Sequence, residues 1–526
     1  MTFAAFASAC GPSSGGQSCP GIDNPDFDND SSNCGRCGNV CTDGFTCQEG
    51  RCLVGECRPG ESEQCYDGQP PTRDVGECKG GIRDCDDTGR WSPCNGEVVP
   101  TGENGDHSHD GKDNNCNGKV DENEDADGDG LTTWDGDCCD STECPNPAQI
   151  GLGSFDVAGN GFDDDCNGVI DDTPLLCDQG IASNTQNAMD YAKAIDICQV
   201  ATMADKKWGV ITAALTLTDG MNTPDPEGHS VRPKFGSNLS PQGGVNLAIL
   251  SSGGASAKND TMPSFHDWVS YTHTATNTAA FPADWLAANN GKVPNAPGCP
   301  DPLGSVANDP EMLTLEIRVP TNAKSFRLST NFYSAEFPEF VCSAFNDFFV
   351  VLLDSTYTGT PANPTDKNLA FYTPMSGGHV PVGVNLAGQG LFTQCKNGDL
   401  CGGLSSGTIT SCVGVDQLAG TGMDDPDYGC GDTLSASTVG GATGWLVTAG
   451  NVTPGEIIKL RIAVWDTSDH AYDSAAVIDG FQWSIDTTNP GTVIFKDKPG
   501  LAPLPVDAKV TSNRNSSRLL ASPMAN

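Results

Sequence analysis

In the C-terminal part of the chain, apolar and polar residues alternate with a period of two. Leu313, Leu315, Ile317 and Val319 form one such run, and Phe326, Leu328, Thr330 and Phe332 a second. Ile458, Leu460, Ile462 and Val464 form a third, and Val477, Asp479, Phe481, Trp483 and Ile485 read as one face of a fourth. Side chains of a strand point alternately to its two faces, so each run predicts a strand with one face buried. Phe348, Val350 and Leu352 sit in a stretch apolar enough to be a central strand. A helical period precedes them: Asn184 to Gln199 places Ala188, Ala192, Ile195 and Cys198 on one side of a helix. Strands punctuated by Gly, Pro and Asn, with few helices, predict a mainly β protein. Its C-terminal domain is read as an antiparallel β-sandwich or jelly roll.

Upstream of residue 178 neither period is sustained, and cysteine spacing becomes the organising signal. Of 25 cysteines, 18 lie at or before Cys177, which points to disulfides formed in an oxidising, extracytoplasmic setting. They group as six from Cys19 to Cys52, six from Cys57 to Cys116, four from Cys138 to Cys166 and eight from Cys177 to Cys430. Cys34-x-x-Cys37 has a zinc-compatible spacing, but zinc needs four reduced ligands, so disulfides are the expectation. Trp91, two residues before Pro93-Cys94, is expected to pack on those disulfides as a miniature core. Cys10 is left over. It follows Phe6-Ala7-Ser8-Ala9, which resembles the end of a bacterial lipoprotein signal, so a lipid on Cys10 is one expectation and an ordinary cysteine the other.

These signals divide the chain into five stretches: a signal-like segment and flexible spacer over 1–33, cysteine-rich modules over 34–100, acidic repeats over 101–177, the sandwich over 178–497 and a Pro- and Ser-rich tail over 498–526. With 28 Lys plus Arg against 69 Asp plus Glu, the net charge is −41. That balance excludes nucleic acid and an anionic membrane surface as partners, since both need clustered cations. Contact with a membrane is expected only through a lipid on Cys10.

The acidity is concentrated. Residues 103–172 hold 20 acidic residues and two lysines, a block that repels itself unless multivalent cations neutralise it. Asp113-x-Asn115-x-Asn117-Gly118 followed by Glu124 has the spacing of a calcium loop: oxygen ligands at positions 1, 3 and 5, glycine at 6 and an acid at 12. Lys119 would lend its carbonyl, and Asp121 sits at position 9. Asp163-x-Asp165-x-Asn167-Gly168 repeats the pattern, with Asp171 at position 9 and Asp172 standing in for the missing acid at 12. Asp125, Asp127 and Asp129 begin a third copy, followed by Asp135 and Asp137. Calcium is the expected ion, because it takes six to eight oxygens in a flexible shell. At ~1 mM calcium and a Kd of ~0.1 mM, each loop would be stabilised by about 1.4 kcal/mol. His107 and His109 are read as solvated loop residues.

Gly111 to Glu122 and Gly161 to Asp172 resemble the metal-binding repeats of bacterial secreted and surface proteins. That pattern commonly has a cysteine shortly before the acidic run. Here Glu103 to His109 stands in its place, which leaves the partner of Cys116 open. Phe332 to Phe349, with Trp465-Asp466 to Asp473-Ser474, resembles the Choice-of-anchor L domain over roughly residues 180 to 490. The resemblance implies a secreted or cell-surface domain without an established reaction.

That domain carries two acidic groups, Glu336, Glu339, Asn346 and Asp347, then Asp466, Asp469 and Asp473. If their strands are neighbours they could share a calcium ion, act as a pair of acids for glycoside hydrolysis, or simply cap turns. Gly403-Leu-Ser405-Ser-Gly407 matches a nucleophile elbow, but it lacks the strand before and the helix after that the elbow needs. No HExxH, P-loop or Rossmann fingerprint is present. The expectation is a non-enzymatic, secreted or surface-anchored protein. Its calcium-stabilised stalk presents a β-sandwich that binds a surface ligand, a glycan or a protein. A glycan-directed hydrolase and a purely structural surface component are the alternatives.

Overall fold

The computed structural model describes residues 26–41, 45–48, 51–54, 57–86, 89–101, 110–121, 125, 127–128, 131–132, 135–139, 146–171, 176–274, 277–374, 377–400, 407–425 and 439–494. The chain forms two units, Met1–Leu152 with Asp156–Asp172, and Gly153–Phe155 with Thr173–Asn526.

Cross-links organise the first unit. Its regular structure is two antiparallel hairpins, β1 (Phe45–Gln48) with β2 (Arg51–Val54) and β3 (Ser62–Cys65) with β4 (Gly81–Asp84). Cys34–Cys47, Cys41–Cys52, Cys57–Cys85, Cys65–Cys94, Cys78–Cys116 and Cys138–Cys166 staple it. Each bond stays inside one of the four cysteine groups read from spacing. The sulfurs of Cys34, Cys41 and Cys52 lie within 4.8 Å of one another, but as disulfides they carry no thiolate for zinc. Trp91 is half-buried and bridges to Cys85 of the Cys57–Cys85 bond, with the Arg83 guanidinium 4.9 Å above its ring.

The second unit contains helix α1 (Ala188–Ala194) and helix α2 (Ala283–Ala288). Its strands are β5 (Gly209–Thr216), β6 (His229–Arg232), β7 (Leu247–Ser251), β8 (Thr278–Ala279), β9 (Ala307–Arg318), β10 (Ser325–Ser334), β11 (Phe348–Asp354), β12 (Phe371–Tyr372) and β13 (Val380–Gly383). They continue with β14 (Gly398–Asp399), β15 (Thr408–Ile409), β16 (Gly441–Ala442), β17 (Leu446–Asn451), β18 (Ile457–Asp466), β19 (Ser474–Ser484) and β20 (Gly491–Ile494). One seven-stranded sheet runs β20-β17-β10-β19-β7-β6 with β16 on β10; the other runs β12-β13-β11-β18-β9-β5 with β8 on β9. All pairings are antiparallel. Leu313, Leu315, Ile317, Ile458, Leu460 and Ile462 of one sheet meet Phe326, Leu328 and Phe332 of the other in a buried core, which makes a sandwich.

β11 is buried on both faces. Phe349, Val351 and Leu353 enter the core between the sheets, while Phe348, Val350 and Leu352 face Trp285 of α2, which explains its unbroken apolar run. β19 departs from the single face read for it. Val477 packs on the outer side and Phe481 on the inner, because the pairing slips between Arg327/Ser329 at Gly480 (φ +64), a bulge that exchanges the two faces. α1 is also shorter than the predicted 184–199. Asn187 caps its start by accepting from Met189 N (3.3 Å), and Asp196 (φ +72) ends it. Asp196 N donates to Lys193 O (3.0 Å) and Ile197 N to Ala192 O (2.9 Å), which closes the helix with a left-handed residue.

α2 is held to its sheet by charge. Arg461 of β18 donates to both carboxylate oxygens of Asp284 (2.9 and 2.6 Å), and Lys367 Nζ lies 2.7 Å from Asp284. These cations hold the Asp284 carboxyl well below its usual range. A depressed carboxylate stabilises the fold above its unfolded value and loses that contribution as pH falls. Asp284 is 36% exposed, so solvent discounts the effect to about 1 kcal/mol. Asp284→Asn is therefore expected to lower unfolding free energy by about that amount at pH 7. The difference should begin to shrink in urea melts run below the unfolded carboxyl value of 3.8 and vanish only as pH falls through the lower folded value.

Candidate metal centres

The first and second loops of the first unit fold alike over their described residues. In the first, Asn117 N donates to Asp113 Oδ1 and Asn115 Oδ1 (both 3.1 Å), Gly118 N to Asp113 Oδ2 (2.9 Å) and Lys119 N to Asn117 Oδ1 (2.9 Å). In the second, Asn167 N donates to Asp163 Oδ1 (3.1 Å) and Asp165 Oδ1 (3.2 Å), Gly168 N to Asp163 Oδ2 (2.8 Å) and Val169 N to Asn167 Oδ1 (2.8 Å). Both glycines have φ +89, where a side chain would be strained, and Cys116 and Cys166 are left-handed as well. Asp121 and Asp171 fold back to accept from Gly111 N (3.1 Å) and Asn160 N (2.9 Å).

Backbone amides thus gather the side-chain oxygens at positions 1, 3 and 5 on the inside of each turn. Asp113 and Asn115 are buried, and burial, with the charge of Asp165 adding to it, pushes Asp163 up to about 7. The partner of Cys116 is Cys78, and that of Cys166 is Cys138. Each partner lies well upstream of its loop, by 38 and 28 residues. In the third start, Asp125 Oδ1 accepts from Gly128 N (2.7 Å), Asp135 from Thr132 Oγ1 (3.1 Å) and Asp137 from Cys139 N (2.8 Å). Glu124, Asp129, Asp172 and Cys10 lie outside the described residues, as does Ser405.

In the sandwich, strand pairing brings distant acids to one end. β10 pairs with β19 through Ser334 and Ser474, and β11 with β18 through Phe348 and Trp465. Glu336 therefore follows the end of β10 where Asp473 precedes β19, and Asp347 precedes β11 where Asp466 ends β18. All four carboxylates are at most 2% exposed. Ser474 Oγ donates to Asp347 Oδ2 (2.5 Å) and Asp347 N to Glu336 Oε2 (3.1 Å). Asp347 Oδ1 and both oxygens of Asp466 and Asp473 accept no hydrogen bond of normal geometry, although the Asp347 carboxyl and the Ser252 hydroxyl are near enough to Asp466 to act on it.

Burial raises all four well above the carboxylate range, and neighbouring carboxylates add to it: Asp466 acts on Glu336 and Asp473, Glu336 on Asp347 and Asp347 on Asp466. Gly253 completes the enclosure, since a Cβ there would sit 2.1 Å from Asp473 Oδ2. The acids are near enough to raise one another, but their oxygens are not drawn together. Among the described residues the only trio of ligand atoms within 4.8 Å of one another is the cysteine group of the first unit.

The other three predicted sandwich residues have different positions. Asn346 Oδ1 accepts from Asn385 N (2.9 Å) and Asn346 N donates to Thr467 Oγ1 (3.3 Å), so it braces the loop. Glu339 and Asp469 are half-buried, and both charges raise Tyr472 after burial does. Sequence reading missed Asp309, Glu311 and their histidines. His470 Nδ1 meets Asp309 Oδ2 at 2.6 Å, and His229 Nδ1 meets Glu311 Oε2 at 2.9 Å. His273 Nδ1 and Glu311 Oε1, both without hydrogen-bond partners, face each other at 3.9 Å. Asp309 in turn raises Asp466 and Asp473. The one signal for them was two acids, Asp309 and Glu311, at the head of an otherwise apolar strand.

Residues 302–482 match the family model of the Choice-of-anchor L domain. No curated protein matches the chain. Among solved structures, the enzymatically active domain of bacteriophage CBA120 tailspike protein 4 is matched at 9% identity and a TM-score of 0.15, over 53% of this chain and 19% of that one. That likeness carries no argument. The domain match and the density of disulfides support an extracellular or surface-associated protein. Among the described residues, no helix is long and apolar enough to cross a membrane.

Proposed function

We propose that this is a secreted or surface-anchored bacterial protein in which calcium orders both an acidic stalk and one end of a β-sandwich, and that this end binds a surface ligand, a glycan or another protein. A lipid on Cys10 would supply the anchor. The observation that carries the reading is the set of five buried, unpartnered carboxylate oxygens on Asp347, Asp466 and Asp473. An unneutralised carboxylate in such a place is costly by several kcal/mol. The groups acting most strongly on these three are other carboxylates, so neutralisation must come from protons or from a bound cation. An oxygen-only donor set favours calcium over zinc or copper.

The ion would be too deep to touch a ligand itself, and its effect is on the loops above it. Phe340 and Tyr472, half-buried with ring centroids 5.0 Å apart, stand beside Glu339 and Asp469. Aromatic faces next to acids suit a sugar ring or a basic peptide. The same depth disfavours hydrolysis, because a catalytic acid must reach the scissile oxygen.

Glycan and protein arrays probed with the oxidised full chain, in calcium and in chelator, test the reading. Binding should require calcium and fall at least tenfold in Tyr472→Ala. Equal binding in chelator, or turnover of a glycan that Asp466→Asn abolishes, would overturn it.

A further inference from the structure

A second group of acids, none of them among the sandwich-end carboxylates, flanks the Gln242–Gly243–Gly244 turn, with no three of their ligand atoms drawn within 4.8 Å of one another. Asp178 is 1% exposed and adjoins Cys177, which is bonded to Cys198 just beyond α1. Its Oδ2 accepts from Val245 N (2.7 Å) and Asn246 N (2.6 Å), and its Oδ1 has no partner. Asp196 is the left-handed residue that ends α1, a position glycine or asparagine usually fills. Its carboxylate reaches the same turn. A Cβ on Gly243 would lie 1.9 Å from Asp196 Oδ2, and one on Gly244 would lie 2.9 Å from Asp196 Oδ1 and 2.6 Å from Asp178 Oδ2. Only glycine lets the backbone pass between the two acids.

Asp479 arrives from the third side. The β19 bulge at Gly480 follows it, and Gly480 N donates to its Oδ1 (2.8 Å), while Gly243 N (3.3 Å) and Gln242 N donate to its Oδ2. Bulges re-aim side chains in this way. The Gln242 Oε1 atom on the same turn is buried and has no partner. Burial pushes Asp196 up to about 7, with the charge of Asp178 next in effect, and pushes Asp479 up to about 8, with Asp196 next. No lysine or arginine figures among these influences.

We propose that Asp178, Asp196 and Asp479, with the side-chain oxygen of Gln242, form a calcium site that fastens the 242–246 turn to the end of α1. The donors are all oxygens, two of them buried without any partner, and water can complete the six to eight that calcium takes. Magnesium fits less well, because it holds its own water and demands a stiff octahedron. The ion would tie together three stretches far apart in sequence: the start of the sandwich unit beside the Cys177–Cys198 bond, the end of α1 and the bulge of β19.

Hydrogen exchange read by mass spectrometry on the oxidised full chain tests this site separately from the sandwich end. Calcium should slow exchange at least tenfold in peptides covering 240–247 and 194–199. Asp196→Ser, at a half-buried position, should abolish that slowing, and Asp178→Asn should do the same. If protons alone neutralise these acids, the native turn will exchange equally in calcium and in chelator, which overturns the proposal. Calcium-dependent slowing that persists in Asp196→Ser overturns it too.

Discussion

Asp473→Asn is expected to melt higher than the native chain in chelator and lower than it in calcium. Without a cation, Asp473 adds one more buried carboxyl beside Asp466, and its oxygens find no donor. Asparagine removes that charge and offers an amide to its neighbours, so the apo form should gain about 1–3 kcal/mol. With calcium present the variant loses a ligand, and the order should reverse by a similar ~1–3 kcal/mol. Near-ultraviolet dichroism is a suitable probe, since Trp268 and Trp465 are buried in the sandwich.

The pH dependence carries a sign as well. Glu336, Asp347, Asp466 and Asp473 all titrate higher when folded than when unfolded. The folded apo chain therefore binds more protons. Its stability is greatest below the unfolded carboxyl range near 4 and is lost as pH rises towards the elevated folded values. Saturating calcium should reverse that slope, because it binds the ionised acids. Equal stability of Asp473→Asn and the native chain under all conditions would remove the case for a charged centre.

Replacing both Cys138 and Cys166 by serine is expected to release the second acidic loop. The bond closes 28 residues, and chain entropy assigns such a closure about 3.6 kcal/mol; the 38-residue closure by Cys78–Cys116 gives about 3.9 kcal/mol. Among the described residues no α-helix flanks these loops, so the disulfides brace them. The hydrogen bonds around Asp163 are local and survive the change, so high calcium should partly restore the loop. Limited proteolysis should cut the serine variant within 146–171 in chelator, and less in millimolar calcium. Unchanged resistance in chelator would show that the loop is ordered without its staple.

Residues close in sequence told most of what the chain disclosed in advance. The alternations in β9, β10 and β18 mark strands because each keeps one face in the core, and β11 reads as central because α2 covers its second face. The matching turns around Asp113 and Asp163 could be read because the residues that form them fall within a few positions of one another. Pairing across the sheets could not be read. Glu336 and Asp473 meet only because Ser334 pairs with Ser474, and Asp178 meets Asp479 only through a turn and a bulge. Asp196 was hidden inside a predicted helix that in fact ends at Ala194, with Ile195 as its C-cap. Glu339 and Asp469 looked like their buried neighbours in sequence. They differ only in facing the rim.

Anomalous diffraction from crystals of the oxidised protein grown with calcium tests for the ion at the sandwich end. An anomalous peak is expected about 2.3–2.6 Å from carboxylate oxygens of Asp347, Asp466 and Asp473, with those side chains drawn together around it. The same crystals showing no peak there, with the acids still apart and unpartnered at millimolar calcium, would contradict that expectation.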